Sequence, residues 1–313
     1  MSKSIVEGCE HLFLGVYFSV SFLSPSLPFV PSVAGISLSP PFNPNFLLIL
    51  PQYQHKISGK CVKYYFFDQK NMTNTNLDES GVPILSTDAI EIKAEEVISY
   101  FDKKILEVPQ RTPLLEYVEK LHSRYNLIRN YNQSLGRTKN GSAILGKTQL
   151  KPLGLFVDAS LVNDPRFNFV LGHELGHVVL HRSVDIKRTG YEDQDIVDTE
   201  IDFVTGKKIL RTPRDWLEWQ ANYFSSSILM PRISVVTAVV TKQNELGIKK
   251  HLGRIILEPK AYSLRDYKAV QKHLELVYSV NSTNVECRLN DLGILINRMN
   301  LNVQHVSELF STE

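Results

Sequence analysis

The stretch NDPRFNFVLGHELGHVVLH, residues 163–181, decides how this chain is read. Asn163-Asp164-Pro165 is a helix-start signal. Phe167, Val170, Leu171, Leu175 and Val178 then recur at helical spacing, which predicts a helix running to about His181. On such a helix residues four apart lie on one face, one turn from each other, so the rings of His173 and His177 can converge on a single metal ion. Glu174 sits about 100° further round the axis, within reach of a metal-bound water without being a ligand itself. Two imidazoles and a carboxylate in this order are the equipment of metal-assisted hydrolysis. Gly172 and Gly176 lie inside the same helix, each costing about 1 kcal/mol relative to Ala. The expected reason is another backbone passing close by.

Catalytic zinc takes three protein ligands and a water, so a third ligand is sought downstream. TPRDWLEWQANYFSSSILMP, residues 212–231, predicts a second helix, capped by Thr212 with Pro213 at its first position and stopped near Met230 by Pro231. Leu217, Ala221, Phe224 and Ile228 form its apolar stripe. Glu218 borders that stripe beside the small residues Ala221 and Ser225, which let two helices approach closely. Glu218 is therefore the candidate third ligand, with Zn2+ the expected ion, although two His and one carboxylate also suit other divalent ions. Asn222, one turn on, is expected to hold a ligand in place by a hydrogen bond. His181 follows His177 by four, but one ion cannot touch three successive turns, so His181 is read as a supporting residue. Tyr223 and His181 are the candidates for stabilising an oxyanion. The acids Glu192, Asp193, Asp195, Asp198, Glu200 and Asp202 are read as a solvated loop, and Trp216 and Trp219 as packing residues.

HELGHVVLH (173–181) followed by EWQANYFSSSILMP (218–231) resembles the ImmA/IrrE family of metallopeptidases. Glu218, Ala221, Asn222, Phe224, Leu229, Met230 and Pro231 stand in the places of that family's second motif helix. Ser225 replaces a usual Ala, and Phe169-Val170-Leu171-Gly172 is similar to the family's lead-in with two small substitutions. The resemblance spans roughly residues 85 to 295 and is specific around the two motif helices. It implies a zincin-like fold and selective cleavage of a protein, typically a helix-turn-helix repressor. The segment Arg182 to Arg211 is longer than the family's usual loop, long enough to cover the cleft.

Around this centre, 313 residues with 43% hydrophobic and 22% charged residues suffice for a substantial core, and a net charge of +2 gives no global pull toward nucleic acid. Cys9, Cys61 and Cys287 form no disulfide framework and point to a reducing compartment, the cytoplasm. In residues 1–71 the apolar run Leu12 to Leu23 is too short to span a bilayer, and Glu7 and Glu10 spoil a signal peptide. This part is expected to be a poorly ordered extension, and the change of character after Asn71 marks Met72 as a candidate start. Asp88 with Glu91 resembles a capping box, followed by Ala94, Val97, Phe101 and Ile105 at helical spacing. Thr112-Pro113 precedes a further helix along Leu114, Leu115, Val118 and Leu121. Gly154 to Asp158 reads as a strand, and Gly141 to Asp158 has room for two. Either Gly141 to Gly146 or Gly154 to Asp158 is a candidate edge for pairing with an extended substrate.

The fold expected is α+β: a mostly helical zincin-like metallopeptidase domain with a small β-sheet over 82–235, plus a helical C-terminal region over 236–313. In that region Leu264 to Tyr278 and Ser282 to Gly293 make a helix-turn-helix-like unit, and Ser279 to Gly293 also resembles the family's C-terminal end. Its second helix offers only Arg288 against Glu286 and Asp291, too little basic charge for reading DNA. The reading favoured is a zinc endopeptidase acting on a regulatory protein, with neither membrane nor direct nucleic-acid binding expected. Its rivals are a non-catalytic zincin-shaped module that holds a repressor or toxin, and a DNA-binding regulator.

Overall fold

The computed structural model describes residues 81–191, 195–203 and 210–299. The extension 1–71, with Cys9, Cys61 and the candidate start Met72, lies outside them.

Helix α1 (Thr87–Asp102) starts about half a turn earlier than the Asp88/Glu91 pair suggests, because the Ser86 hydroxyl accepts from Ala89 N–H at 3.2 Å. With Ser86 serving as cap, Glu91 is free to turn inward, where it is 2% exposed. Helix α2 (Leu114–Tyr125) likewise lacks its expected cap: the Thr112 hydroxyl donates instead to the carbonyl of Ile228 at 2.8 Å. Its end is set by Asn126 in the left-handed region, φ 55°.

Four short strands follow the order β1-β3-β2-β4, where β1 is Ile128–Asn130, β2 Ile144–Leu150, β3 Leu153–Val157 and β4 Ile196–Thr199. β1 runs parallel to β3, and the other two pairings are antiparallel. Both strands foreseen within 141–158 are present, but each is paired on both sides. The edge next to β2 is taken by β4, which comes from the segment read as a solvated loop.

Helix α3 (Phe167–Leu180) lies between this sheet and α4 (Pro213–Leu229). It is buried almost all round, including His173, Glu174 and His177. The two glycines account for its close approach to α4. A Cβ on Gly176 would lie 3.2 Å from the Ala221 Cα, and one on Gly172 would lie 2.6 Å from Ser225 Oγ. The α4 start is a full capping box: Thr212 accepts from Asp215 N–H and the Asp215 carboxylate accepts from Thr212 N–H.

Helix α5 (Arg232–Glu245), not anticipated from the sequence, follows Pro231. Then come β5 (Ile255–Leu257), α6 (Ala261–Tyr278), α7 (Ser282–Asp291) and β6 (Leu295–Asn297), with β5 and β6 pairing in parallel. The break between α6 and α7 falls at Ser279, φ 54°. Arg288, the one cation of α7, is fully buried. Its guanidinium donates to both oxygens of Glu91 (Nη2–Oε2 3.0 Å), to the Met230 carbonyl (Nε, 2.9 Å) and to Ser227 Oγ (3.2 Å). One side chain thus ties α7 to α1 and α4.

The architecture is α+β, mostly helical with a small mixed sheet, as expected. Among the described residues no single helix is long and apolar enough to cross a membrane. α4 and α5 meet that test only as a pair bent by 53°.

Candidate metal centre

Helix α3 contributes His173 and His177, α4 contributes Glu218, and β4 contributes Asp198. The donor atoms of these four lie within 4.8 Å of one another. His173 Nε2 is 2.9 Å from His177 Nε2, 3.2 Å from Glu218 Oε2 and 3.6 Å from Asp198 Oδ2. His177 Nε2 is 3.8 Å from both Glu218 Oε1 and Asp198 Oδ2. Four donors about 2.1 Å from a tetrahedral ion sit about 3.4 Å apart, so these spacings suit one small cation. The cluster is sealed, with His173, His177 and Asp198 at 0% exposure and Glu218 at 1%.

The far side of each imidazole is fixed. His173 Nδ1 lies 2.9 Å from Asn222 Oδ1, an acceptor, so Nδ1 carries the proton and Nε2 faces the cluster with its lone pair. Asn222 is held in turn by donating to the Asp202 carbonyl at 2.8 Å. The His177 side is a relay. His177 Nδ1–H donates to His181 Nδ1 at 2.9 Å, His181 Nε2–H donates to Gln220 Oε1 at 2.9 Å, and Gln220 donates to the Pro83 carbonyl at 2.7 Å. This direction requires a neutral His181, and burial pushes its pKa down to about 4. Asn222 and His181 thus stand behind the two imidazoles, and Asn222 supports His173 rather than its own-helix neighbour Glu218.

Electrostatically the cluster lacks a cation. Two ring nitrogens facing each other at 2.9 Å, each with its other nitrogen already donating, repel unless a proton or a metal lies between them. Glu174, Asp198 and Glu218 are all buried, and among the described residues neither Lys nor Arg pairs with any of them. The titration pattern follows. Burial opposes a charged His173, yet the carboxylates of Asp198 and Glu218 outweigh it and hold its pKa well above the usual histidine range. Burial, then the neighbouring His173 and His181, hold His177 well below that range. Burial raises Glu218 against the pull of His173. Burial and then the charge of Asp198 raise Glu174 well above the usual carboxylate range. Buried carboxylates that must borrow a proton from an imidazole are satisfied together by one divalent ion. The donor set therefore fits a metal.

Glu174 is held beside the cluster by a residue the sequence reading missed. Thr148 on β2 donates to Glu174 Oε2 at 2.5 Å, leaving Oε1 without a partner. Room for this carboxylate exists because residue 146 is glycine: a Cβ there would fall 1.9 Å from Glu174 Oε1.

Residues 138–253 match a peptidase family model described as the IrrE N-terminal-like domain. Over this segment the chain is similar to that domain. The segment runs from ahead of β2 to beyond α5 and so contains Glu174 and all four donors. The resemblance to the ImmA/IrrE family agrees with this match, which is to the model of a peptidase family. A comparison with curated proteins gives no match.

Within the matched residues, the segment after α3 is where the sequence reading needs correction. Val184, Ile186 and Tyr191 pack with Leu150, Ile196 and Leu217. The Tyr191 hydroxyl donates to Glu218 Oε1, and the Arg214 guanidinium lies over the Tyr191 ring at 4.7 Å. Phe203 meets the His173 ring edge-on at 4.7 Å. Of the acids read as solvated, Glu200 is exposed and pairs with Arg166, but Asp198 and Asp202 are buried; Glu192 and Asp193 lie outside the described residues. The signal for β4 was the β-branched run Ile196-Val197 with Thr199, alternating buried and half-buried. Tyr223 lies against Arg288 and Glu91, with its pKa raised by burial, so its surroundings are those of the ion pair. Trp216 and Trp219 pack edge-to-face at 5.7 Å.

Proposed function

We propose that this protein is a zinc-dependent endopeptidase that cuts a regulatory protein, with a helix-turn-helix repressor as the substrate class that the ImmA/IrrE resemblance supports. The observation carrying the reading is the buried set His173, His177 and Glu218, with both Nε2 lone pairs aimed inward and Glu174 beside them. In this reading His173, His177 and Glu218 hold the ion, and Asn222 and His181 fix the two imidazoles. When bound, zinc supplies a lowered water pKa and polarises the scissile carbonyl. Glu174 takes a proton from the attacking water at its unpartnered Oε1 and delivers it to the leaving amine. Thr148 keeps the other oxygen occupied, so the proton has one place to go.

The test is metal content of purified full-length protein beside His177→Ala and Glu218→Ala, together with cleavage of a candidate repressor by wild type and Glu174→Gln. About one zinc per chain, lost in the first two variants, with cleavage abolished in the third, is the expected result. Wild type prepared without chelators and free of metal would overturn the reading. The non-catalytic module remains the second reading, and the sealed state of the cluster favours it. Unchanged cellular function of Glu174→Gln would select it.

A further inference from the structure

We propose that Asp198 is a fourth protein donor to the metal, and that β4 is a built-in plug that keeps the peptidase latent. The proposal rests on the metallopeptidase reading above and concerns how that same site is regulated.

Catalytic zinc keeps one position open, whereas a site with four protein donors is closed. Here the fourth position has an occupant. Asp198 is fully buried, neither of its oxygens has a hydrogen-bond partner, and Oδ2 lies 3.6 and 3.8 Å from the two inward ring nitrogens. An unpaired buried carboxylate costs several kcal/mol unless a cation receives it. Among the described residues no Lys or Arg receives it, which leaves a proton on His173 or a metal ion.

The strand carrying Asp198 obstructs a second requirement. Asp198 is paired with Gly146 across the β2–β4 ladder, and Ile196 with Thr148. Directly opposed residues share a face, so Asp198 is delivered to the face where Gly146 makes room for Glu174 and Thr148 holds it. An extended peptide reaching Glu174 and the metal would pair along this same edge of β2. β4 therefore takes the place of the peptide backbone while Asp198 takes the place of the water. The plug is anchored behind: Asp202 accepts from Thr199, pairs with Arg214 at 3.0 Å, and its carbonyl accepts from Asn222. Activity then requires β4 to leave the edge, and a protein substrate presenting an extended segment competes for the vacated ladder.

The experiment uses full-length protein loaded with Co2+ and azide as the probe, followed by the visible absorption of the metal. In wild type the expected result is one Co2+ whose spectrum azide does not move. Asp198→Ala and Asp198→Asn, shown folded by circular dichroism, are expected to keep Co2+ and to bind azide roughly tenfold or more tightly than wild type. Val197→Pro, which keeps the aspartate at position 198 but disrupts the ladder that delivers it, is expected to open the site too. Equal azide binding by wild type and Asp198→Asn overturns the proposal, because the position is then already open. No azide response in a folded, loaded Asp198→Ala also overturns it, because something else closes the site. Azide binding by Asp198→Ala but not by Val197→Pro overturns the plug while leaving the ligand. Failure of wild type to take up Co2+ is a different result, since it removes the metal reading itself and the latch with it.

Discussion

The molecule buries two clusters of charge on opposite terms. At the junction of α1, α4 and α7, the Glu91 carboxylate meets the Arg288 guanidinium, with Ser227 and the Met230 carbonyl taking further hydrogen bonds. Arg288 keeps its charge, and although burial pushes Glu91 up, Arg288 outweighs it and holds that pKa low. At the junction of α3, α4 and β4, Glu174, Asp198 and Glu218 share two histidines and, among the described residues, no Lys or Arg. The first cluster is complete as folded, so it is a structural clamp. The second is balanced by protons, on His173 and on the carboxyls that burial raises, or by a metal ion, so it is built to receive something. The contrast separates a fastening from a site by charge alone.

The largest effect expected from breaking this contrast is at Glu174. Glu174→Gln should keep bound metal, since Glu174 is not among the donors, while cleavage of the substrate falls by roughly 10²–10⁴. Metal analysis and turnover on one preparation check both halves, and loss of metal would show that Glu174 belongs to the donor set.

Next is the clamp. Arg288→Ala leaves the buried Glu91 with the Ser227 hydroxyl but without its guanidinium and should cost about 3–5 kcal/mol in urea unfolding. Replacing both partners, Glu91→Leu with Arg288→Met, should recover most of that loss. The clamp also has an acid limit. Glu91's depressed pKa gives stability that is present above the ordinary value of 4.5 and is lost as pH falls through the lower folded value. The stability gap between wild type and Glu91→Gln should therefore be flat at neutral pH and close in acid below about pH 4.5. A gap that persists in acid would show that the glutamate contributes by packing rather than charge.

Asn222→Ala removes the acceptor behind His173 and should weaken zinc binding by roughly 10–100-fold, read by competition with a chelator. An unchanged affinity would mean that packing alone orients the ring. The smallest effect is at the start of α4, where Thr212→Ala should cost about 1 kcal/mol of stability with zinc affinity preserved. A drop in affinity instead would show that the position of Glu218 depends on the helix start.

Much of this was legible in the sequence wherever the determining interactions are local. The four-residue spacing of His173 and His177, the Thr212 start and Pro231 stop of α4, and the glycines that let α4 approach α3 follow from helix geometry. Local signals failed where a longer-range partner outbid them. Asp88 with Glu91 has the form of a capping box, but Ser86 caps the helix and Arg288, 197 positions away, claims Glu91. Thr112 has the form of an N-cap, but the Ile228 carbonyl claims its hydroxyl. Helix α5 went unforeseen although Pro231 signals both the end of one helix and the start of the next.

By itself the sequence determined the helical face that carries His173, Glu174 and His177, and the downstream helix that carries Glu218. Tertiary structure alone decided that Asp198 joins them and that β4 closes the sheet over them. A helix brings residues together through a period set by its own backbone, which can be read along the chain. A strand brings residues together through a register with a remote partner, and nothing in Ile196-Val197-Asp198-Thr199 states that Asp198 will lie opposite Gly146.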